Sequence, residues 1–169
     1  EEGFLELWRT LQPLLLRYLQ VRAGNGYEDV AAETWLHVVR DLRHFRGDST
    51  DFRRWLFTIA RNRAVDAGRA RTARPLILLP NHDLAQLDDG RVASSAEDHA
   101  MERIGTQAAL ARLSALPGDQ ADLVALRILA GLEVGVVAEI VGKTPGAVRV
   151  SVHRALKSLS TSAFAKEEI

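Results

Sequence analysis

The sequence predicts an all-α protein, built as two small helical domains joined by a flexible linker. Three observations carry that expectation. Apolar residues recur at three and four through most of the chain, the spacing of one helix face. No stretch alternates convincingly between apolar and polar residues, as a half-buried strand would. Residues 73 to 100 lose the helical period and contain Pro75, Pro80, Gly90 and scattered acids, a composition that breaks regular structure. A chain of 169 residues suits one ordinary domain or two small ones, and 47% hydrophobic with 26% charged residues is the balance of a folded protein. The expected boundaries are 1–74 for an N-terminal bundle of three or four helices, 75–101 for an acidic linker, and 102–163 for a C-terminal helix-turn-helix domain.

The first helix is expected over residues 4 to 22, with Leu5, Trp8, Leu11, Leu15 and Leu19 on its apolar face and Pro13 as an interruption. The turn "AGNG" at 23 to 26 leads to a second helix over 28 to 44. There Trp35, Val38, Val39 and Leu42 form the apolar face, and Glu33, His37, Arg40, Asp41 and His44 the polar one. "RGDST" at 46 to 50 offers Asp48, Ser49 and Thr50 as caps for a third helix over 51 to 69, whose inward stripe is Trp55, Leu56, Ile59 and Ala60. Within the linker, "LILL" at 76 to 79 is a candidate apolar anchor. Helical pattern resumes near Glu102, breaks at Pro117-Gly118, and continues to residue 160.

The formal net charge is zero, but its distribution is uneven. Arg61, Arg63, Arg69, Arg71 and Arg74 face a single acid, Asp66, in fourteen positions. Lys143, Arg149, His153, Arg154 and Lys157 form a second basic block with no acid. Between them lie Asp83, Asp88, Asp89, Glu97, Asp98 and Glu102. Basic blocks of this kind are the electrostatic footprint of phosphate binding, although a solvated helix end gives the same composition.

In "VVAEIVGKTPGAVRVSVHRAL" a short helix ends at Gly142, Thr144 stands as N-cap and Pro145 takes the first helical position. Val148, Val152, Ala155 and Leu156 are expected inside; Arg149, His153, Arg154 and Lys157 are left outside. These are the parts of a helix-turn-helix, which puts the start of its second helix into the major groove. The blander alternative is a helical hairpin with a solvated basic face. In the N-terminal half, Phe57 falls off the inward stripe, next to Thr58 and Arg61. It is expected to be exposed, either as a base-stacking ring or as an aromatic with no partner.

"YEDVAAETWLHVVRDLRHF", "FRRWLFTIARNRAVD" and "LPGDQADLVALRILAGLEVGVVAEIVGKTPGAVRVSVHRAL" together resemble the two characteristic regions of extracytoplasmic-function (ECF, group IV) sigma factors, the bacterial transcription initiation factors. The resemblance covers nearly the whole chain, in order. It implies that the first domain binds core RNA polymerase and assists melting at the minus-ten element. Asp29, Glu33, His37 and Arg40 would then dock on the clamp helices of the largest polymerase subunit. Arg46, Asp48 and Ser49, in the loop from Phe45 to Thr50, match the segment that captures a flipped base. Arg61, Asn62, Arg63, Asp66 and Arg69, with Phe57, would meet the same element. Lys143, Thr144, Arg149, His153, Arg154 and Lys157 would read the minus-thirty-five element, beside the flap of the second-largest subunit. The family usually has glutamine where this chain has Ala32, and often Ser-Arg where it has Val150-Ser151, so the carry-over is firmest for Arg149, His153 and Arg154. The resemblance also implies an anti-sigma partner and a linker that enters the RNA exit path.

Other classes are weaker. No Gly-rich loop ending in Lys-Ser/Thr and no His-Glu-x-x-His is present, and the five histidines show no ligand spacing, so neither an enzyme nor a metal or cofactor site is expected. A stand-alone helix-turn-helix regulator that binds duplex DNA as a dimer stays open at this point. The absence of cysteine excludes disulfides and direct thiol sensing, and fits a reducing cytoplasm. No apolar run reaches the roughly 18 residues that span a bilayer, and no signal peptide is visible. The chain begins at Glu1 rather than Met, consistent with a start of the gene product lying upstream.

Overall fold

A computed structural model describes residues 2–73 and 96–164. These residues form helices joined by short turns and contain no strand. Helix α1 (Glu2–Ala23) passes through Pro13 without ending, although the imide there donates no backbone bond. Its buried side chains are Leu11, Leu15, Tyr18 and Leu19, with Phe4 and Leu7 continuing the stripe toward the N-terminus. That stripe turns Leu5 and Trp8, expected inside, out to solvent. Helix α2 (Tyr27–Asp41) buries Val30, Ala31, Thr34, Trp35 and Val38, and the expected last turn is a 3-10 turn, Leu42–His44. Val39, also expected inside, is 57% exposed.

Helix α3 (Ser49–Ala73) exceeds its expected span at both ends. Asp48 is the cap. Its Oδ1 accepts the N–H groups of Thr50 (2.8 Å) and Asp51 (2.9 Å), while Asp51 Oδ2 accepts the N–H of Asp48 (3.2 Å). This reciprocal arrangement satisfies the orphan donors of the first turn. Gly47 makes it possible: its φ is +146°, and a Cβ there would lie 2.6 Å from Cβ of Asp51. Trp55, expected fully inward, is only half-buried, stacked on Phe45 (centroids 5.1 Å apart) and edge-on to Phe52.

Helix α4 (Ala96–Ser114) starts inside the span assigned to the linker, so residues 96–101 are helical. The "LILL" anchor and the acids Asp83, Asp88 and Asp89 lie outside the described residues. Helix α5 (Gly118–Val124) follows Pro117 and continues into a π turn, Ala125–Leu129. Helix α6 (Val134–Val141) ends at Gly142, whose φ of 67° lets the Lys143 N–H reach the carbonyl of Ala138 at 3.0 Å. Thr144 then caps α7 (Pro145–Phe164) by accepting the Ala147 N–H at 3.2 Å. Val148 and Ala155 are buried and Val152 is partly covered, as expected, but Leu156 falls beyond the edge of that stripe and is exposed.

The two halves pack against each other. Leu123, Leu126, Leu132 and Val137 join Leu11, Leu15, Tyr18 and Phe57 in one apolar cluster. A smaller cluster of Leu113, Val124 and Ala155 lies in the C-terminal half, with Val21 of α1 packed against it. Helix α1 is central, touching α2 and α3 as well as α4, α5 and the π turn.

This packing corrects the expectation for Phe57, which is 0% exposed and meets the Tyr18 ring edge-on at 5.5 Å. Arg54 and Arg61, three residues before and four after it on α3, both reach acids of the C-terminal half. Helical spacing therefore sets Phe57 on the seam between the halves. It is off the first domain's inward stripe because a second inward face exists. Replacing it with alanine leaves a cavity there. We expect Phe57→Ala to cost about 3–5 kcal/mol, read as a lowered urea midpoint; an exposed ring would cost almost nothing.

Candidate nucleic-acid interface

The docking candidates sit on the outer face of α2. Asp29, Glu33 and Arg40 are exposed and His37 is half-buried. Leu36 lies among them, since 29, 33, 36 and 40 recur at four, three and four, and it is 71% exposed. Sequence reasoning sorted α2 into polar and apolar faces and so passed over an apolar residue in the middle of the polar one. Its exposure on a helix face flanked by charges is the anatomy of a protein interface, an apolar centre with a polar rim.

His37 also joins this face to α3. Its Nδ1 lies 3.1 Å from Arg63 Nη2, and its Nε2 lies 3.1 Å from Asp41 Oδ2. With Arg63 as donor, Nδ1 is the acceptor and Nε2–H the donor to Asp41, which fixes one neutral tautomer. A shallow cleft of about 390 Å³ beside this pair is lined by Asp29, Glu33, Arg63 and Asp66. The candidates for docking and for minus-ten contact therefore share one wall.

The arginine tail of α3 has a third fate beyond phosphate and water. Arg61 donates through Nε to Asp122 Oδ2 at 2.7 Å, Arg63 bonds His37, and Arg71 donates to the Asn25 carbonyl at 2.9 Å. Asn62, Asp66 and Arg69 face solvent, and Arg74 lies outside the described residues. In the preceding loop, Ser49 and the side chain of Arg46 are exposed, the latter donating to the carbonyls of Arg43 and Phe45. Asp48 has one carboxylate oxygen committed to the α3 cap. Phe57 is removed from this surface by its burial.

Asp122 is the group that sequence reasoning missed. It is 4% exposed, and its named partners all come from the other half of the chain. The Tyr18 hydroxyl donates to Oδ1 at 2.9 Å and Arg61 to Oδ2 at 2.7 Å. Arg22 Nε stands 3.2 Å from Oδ1 but without hydrogen-bond alignment, so that pair is a charge contact. Burial, and then the negative charge and hydrogen bond of Asp122, push the Tyr18 hydroxyl well above its ordinary pKa. A raised pKa favours the protonated form in the folded chain. Its contribution is thus present throughout the neutral range and lost only as pH rises beyond about 10.

The C-terminal basic face is open. Lys143, Thr144, Arg149, His153, Arg154 and Lys157 are all exposed, and Gly142 and the Thr144 cap fix the start of α7 that carries them. Val150 is 49% exposed on the same helix. Among the described residues no group of three His, Cys, Asp or Glu residues could hold a metal ion, and no helix is long and apolar enough to cross a membrane.

Comparison with known proteins adds identity to this geometry. Residues 2–74 match the family model for Sigma-70 region 2, and residues 106–159 match that for Sigma-70 region 4. Among curated proteins the chain is similar to the ECF RNA polymerase sigma factor BldN of Streptomyces coelicolor, 31% identical over 161 residues, covering 94% of this chain and 60% of BldN. It is 32% identical over 163 residues to the ECF RNA polymerase sigma factor SigD of Mycobacterium tuberculosis, covering 91% of this chain and 74% of SigD. Among solved structures, CnrH in complex with the cytosolic domain of CnrY matches with a TM-score of 0.64 at 20% identity, over 97% of this chain and 89% of CnrH. At that identity the likeness speaks for the fold.

One consequence of the loop geometry is measurable directly. Asp48→Ala removes the acceptor for two N–H groups and should cost about 0.5–2 kcal/mol, seen as a lower thermal midpoint. Asp48→Asn, which keeps an acceptor oxygen, should recover most of the loss.

Proposed function

The chain belongs to the extracytoplasmic-function sigma factors of RNA polymerase, and we propose how its surfaces divide the work of that family. It is an alternative sigma factor that directs RNA polymerase to promoters. The stripe of Asp29, Glu33, Leu36 and Arg40, with His37 beside it, docks on the clamp helices of the largest subunit. The loop from Phe45 to Thr50 and the α3 residues Arg61, Asn62, Arg63, Asp66 and Arg69 meet the minus-ten element. The face of α7 with Arg149, His153 and Arg154 enters the major groove at the minus-thirty-five element, Lys143, Thr144 and Lys157 contacting phosphates, beside the flap of the second-largest subunit. The observation that carries this division is the exposed, firmly capped basic face of α7 on a chain whose other half matches Sigma-70 region 2.

Energetics assign the melting itself to the assembly. Separating about ten base pairs at roughly 1.4 kcal/mol per step requires on the order of 14 kcal/mol. Each captured base returns about 1–3 kcal/mol. This chain captures one or two bases, and the polymerase supplies the rest. Alone, it binds DNA weakly and with strong dependence on salt. It performs no chemistry of its own, works in the cytoplasm and is held in check by an anti-sigma factor. That last assignment draws on the family; CnrH, similar in fold, is itself bound to the cytosolic domain of another protein, CnrY.

Run-off transcription with sigma-free core polymerase and fragmented host DNA tests the proposal. The expected result is discrete transcript starts that share a two-box upstream pattern. Arg149→Ala should weaken use of the upstream box and Asn62→Ala that of the downstream box, each by about 5- to 150-fold, the equivalent of about 1–3 kcal/mol. Absence of starts, together with failure to co-elute with core polymerase, would overturn it.

A further inference from the structure

We propose that Asp122 is a latch that holds the two halves of the free chain closed and keeps Arg61 away from DNA. The inference rests on the assignment of Arg61 to the minus-ten surface. Its physical content comes from the seam.

Asp122 is a carboxylate of the C-terminal half, and Tyr18, Arg22 and Arg61, the groups that stabilise it, belong to α1 and α3. Separation of the halves would return this carboxylate to water, where it is comfortable. Closure takes it out of water and must repay that loss through partners in good geometry. The balance between those terms is small compared with either, which is the condition for a reversible contact rather than a permanent one. Apolar burial at Tyr18 and Phe57 adds to closure, and the exposed ion pair of Arg54 with Glu139 at 3.2 Å adds little.

Closure affects the two proposed DNA surfaces differently. Arg149, His153 and Arg154 remain exposed. Arg61 has its Nε turned to Asp122, and only 27% of its side chain is exposed. Ser49 and Thr50, at the base-capture loop, line a cleft of about 580 Å³ whose opposite wall is Leu132, Glu133 and Val136 of the C-terminal half. A strand of DNA approaching α3 from this side meets the second domain first. The closed chain can therefore present its minus-thirty-five face while its minus-ten face is partly covered. A phosphate that offers Arg61 a competing charge favours the open form.

The test uses the full chain, which has no cysteine of its own. Cysteines introduced by Arg17→Cys on α1 and Gly135→Cys on α6 carry a fluorescent donor and acceptor; Arg17 is exposed and a Cβ at Gly135 meets nothing within 4 Å. Energy transfer reports closure, and binding of a mixed-sequence single-stranded DNA pool without polymerase reports access. If the open form is about a tenth of the population, freeing it raises affinity about tenfold. Asp122→Asn should lower transfer and raise affinity by that order, with helicity by circular dichroism unchanged. Arg22→Gln, a milder change outside the proposed DNA surface, should move both readouts part of the way, which keeps the test decisive should Asp122→Asn fold poorly. Unchanged transfer in both variants would overturn the latch. Lower transfer with unchanged affinity would overturn the blocking of DNA and remove Arg61 from the minus-ten surface, without touching the closure itself.

Discussion

The structure depends on one buried carboxylate. Asp122 is the charged residue buried in the described core, and the three groups around it come from helices more than sixty residues away in sequence. Together with the apolar cluster that spans the seam, satisfying it shapes how the halves meet. Tyr18 must turn its hydroxyl inward, so its ring lies against Phe57. Arg61 must fold along α3 toward α5. Helix α1, which carries Tyr18 and Arg22, must serve both domains at once. A nonpolar residue at position 122 could pack in the same place, but it would lack the directional hydrogen bonds from Tyr18 and Arg61.

Much of the fold was legible in the sequence because it depends on local chemistry. Gly142, Thr144 and Pro145 announced a turn and a capped helix, and the structure shows both. Asp48 was one of three candidate caps, and the one with a free left-handed glycine before it and an acid three residues on is the one used. The errors share a different origin. Phe57, Leu5, Trp8 and Leu156 were sorted by a single inward stripe per helix. A helix with neighbours on two sides has two stripes, and a helix end that overhangs its neighbours has none. Neither condition can be read from spacing within one helix.

The candidate surfaces divide along the same line. The basic face of α7 was visible because exposure, charge and helical period agree there. The arginines of α3 were visible as charges, but their partners His37, Asn25 and Asp122 are contributed by other elements. Asp122 itself carried no signal: an acid next to Leu123 and Val124 reads as an ordinary helical position. Leu36 escaped for the converse reason, as an apolar residue is unremarked until its helix face proves to be exposed.

The bond between Tyr18 and Asp122 spans 104 residues of chain. On the ribosome, at about 5–20 residues per second, Asp122 is added roughly 5–20 s after Tyr18. From the addition of Phe57, 65 residues and roughly 3–13 s before Asp122, the second inward face, Tyr18 and Phe57, waits for cover. An apolar face in that state is what chaperones bind and what drives nascent chains to associate. The helix that serves both domains in the finished protein therefore creates, during synthesis, a window in which yield depends on protecting a surface that the mature molecule conceals.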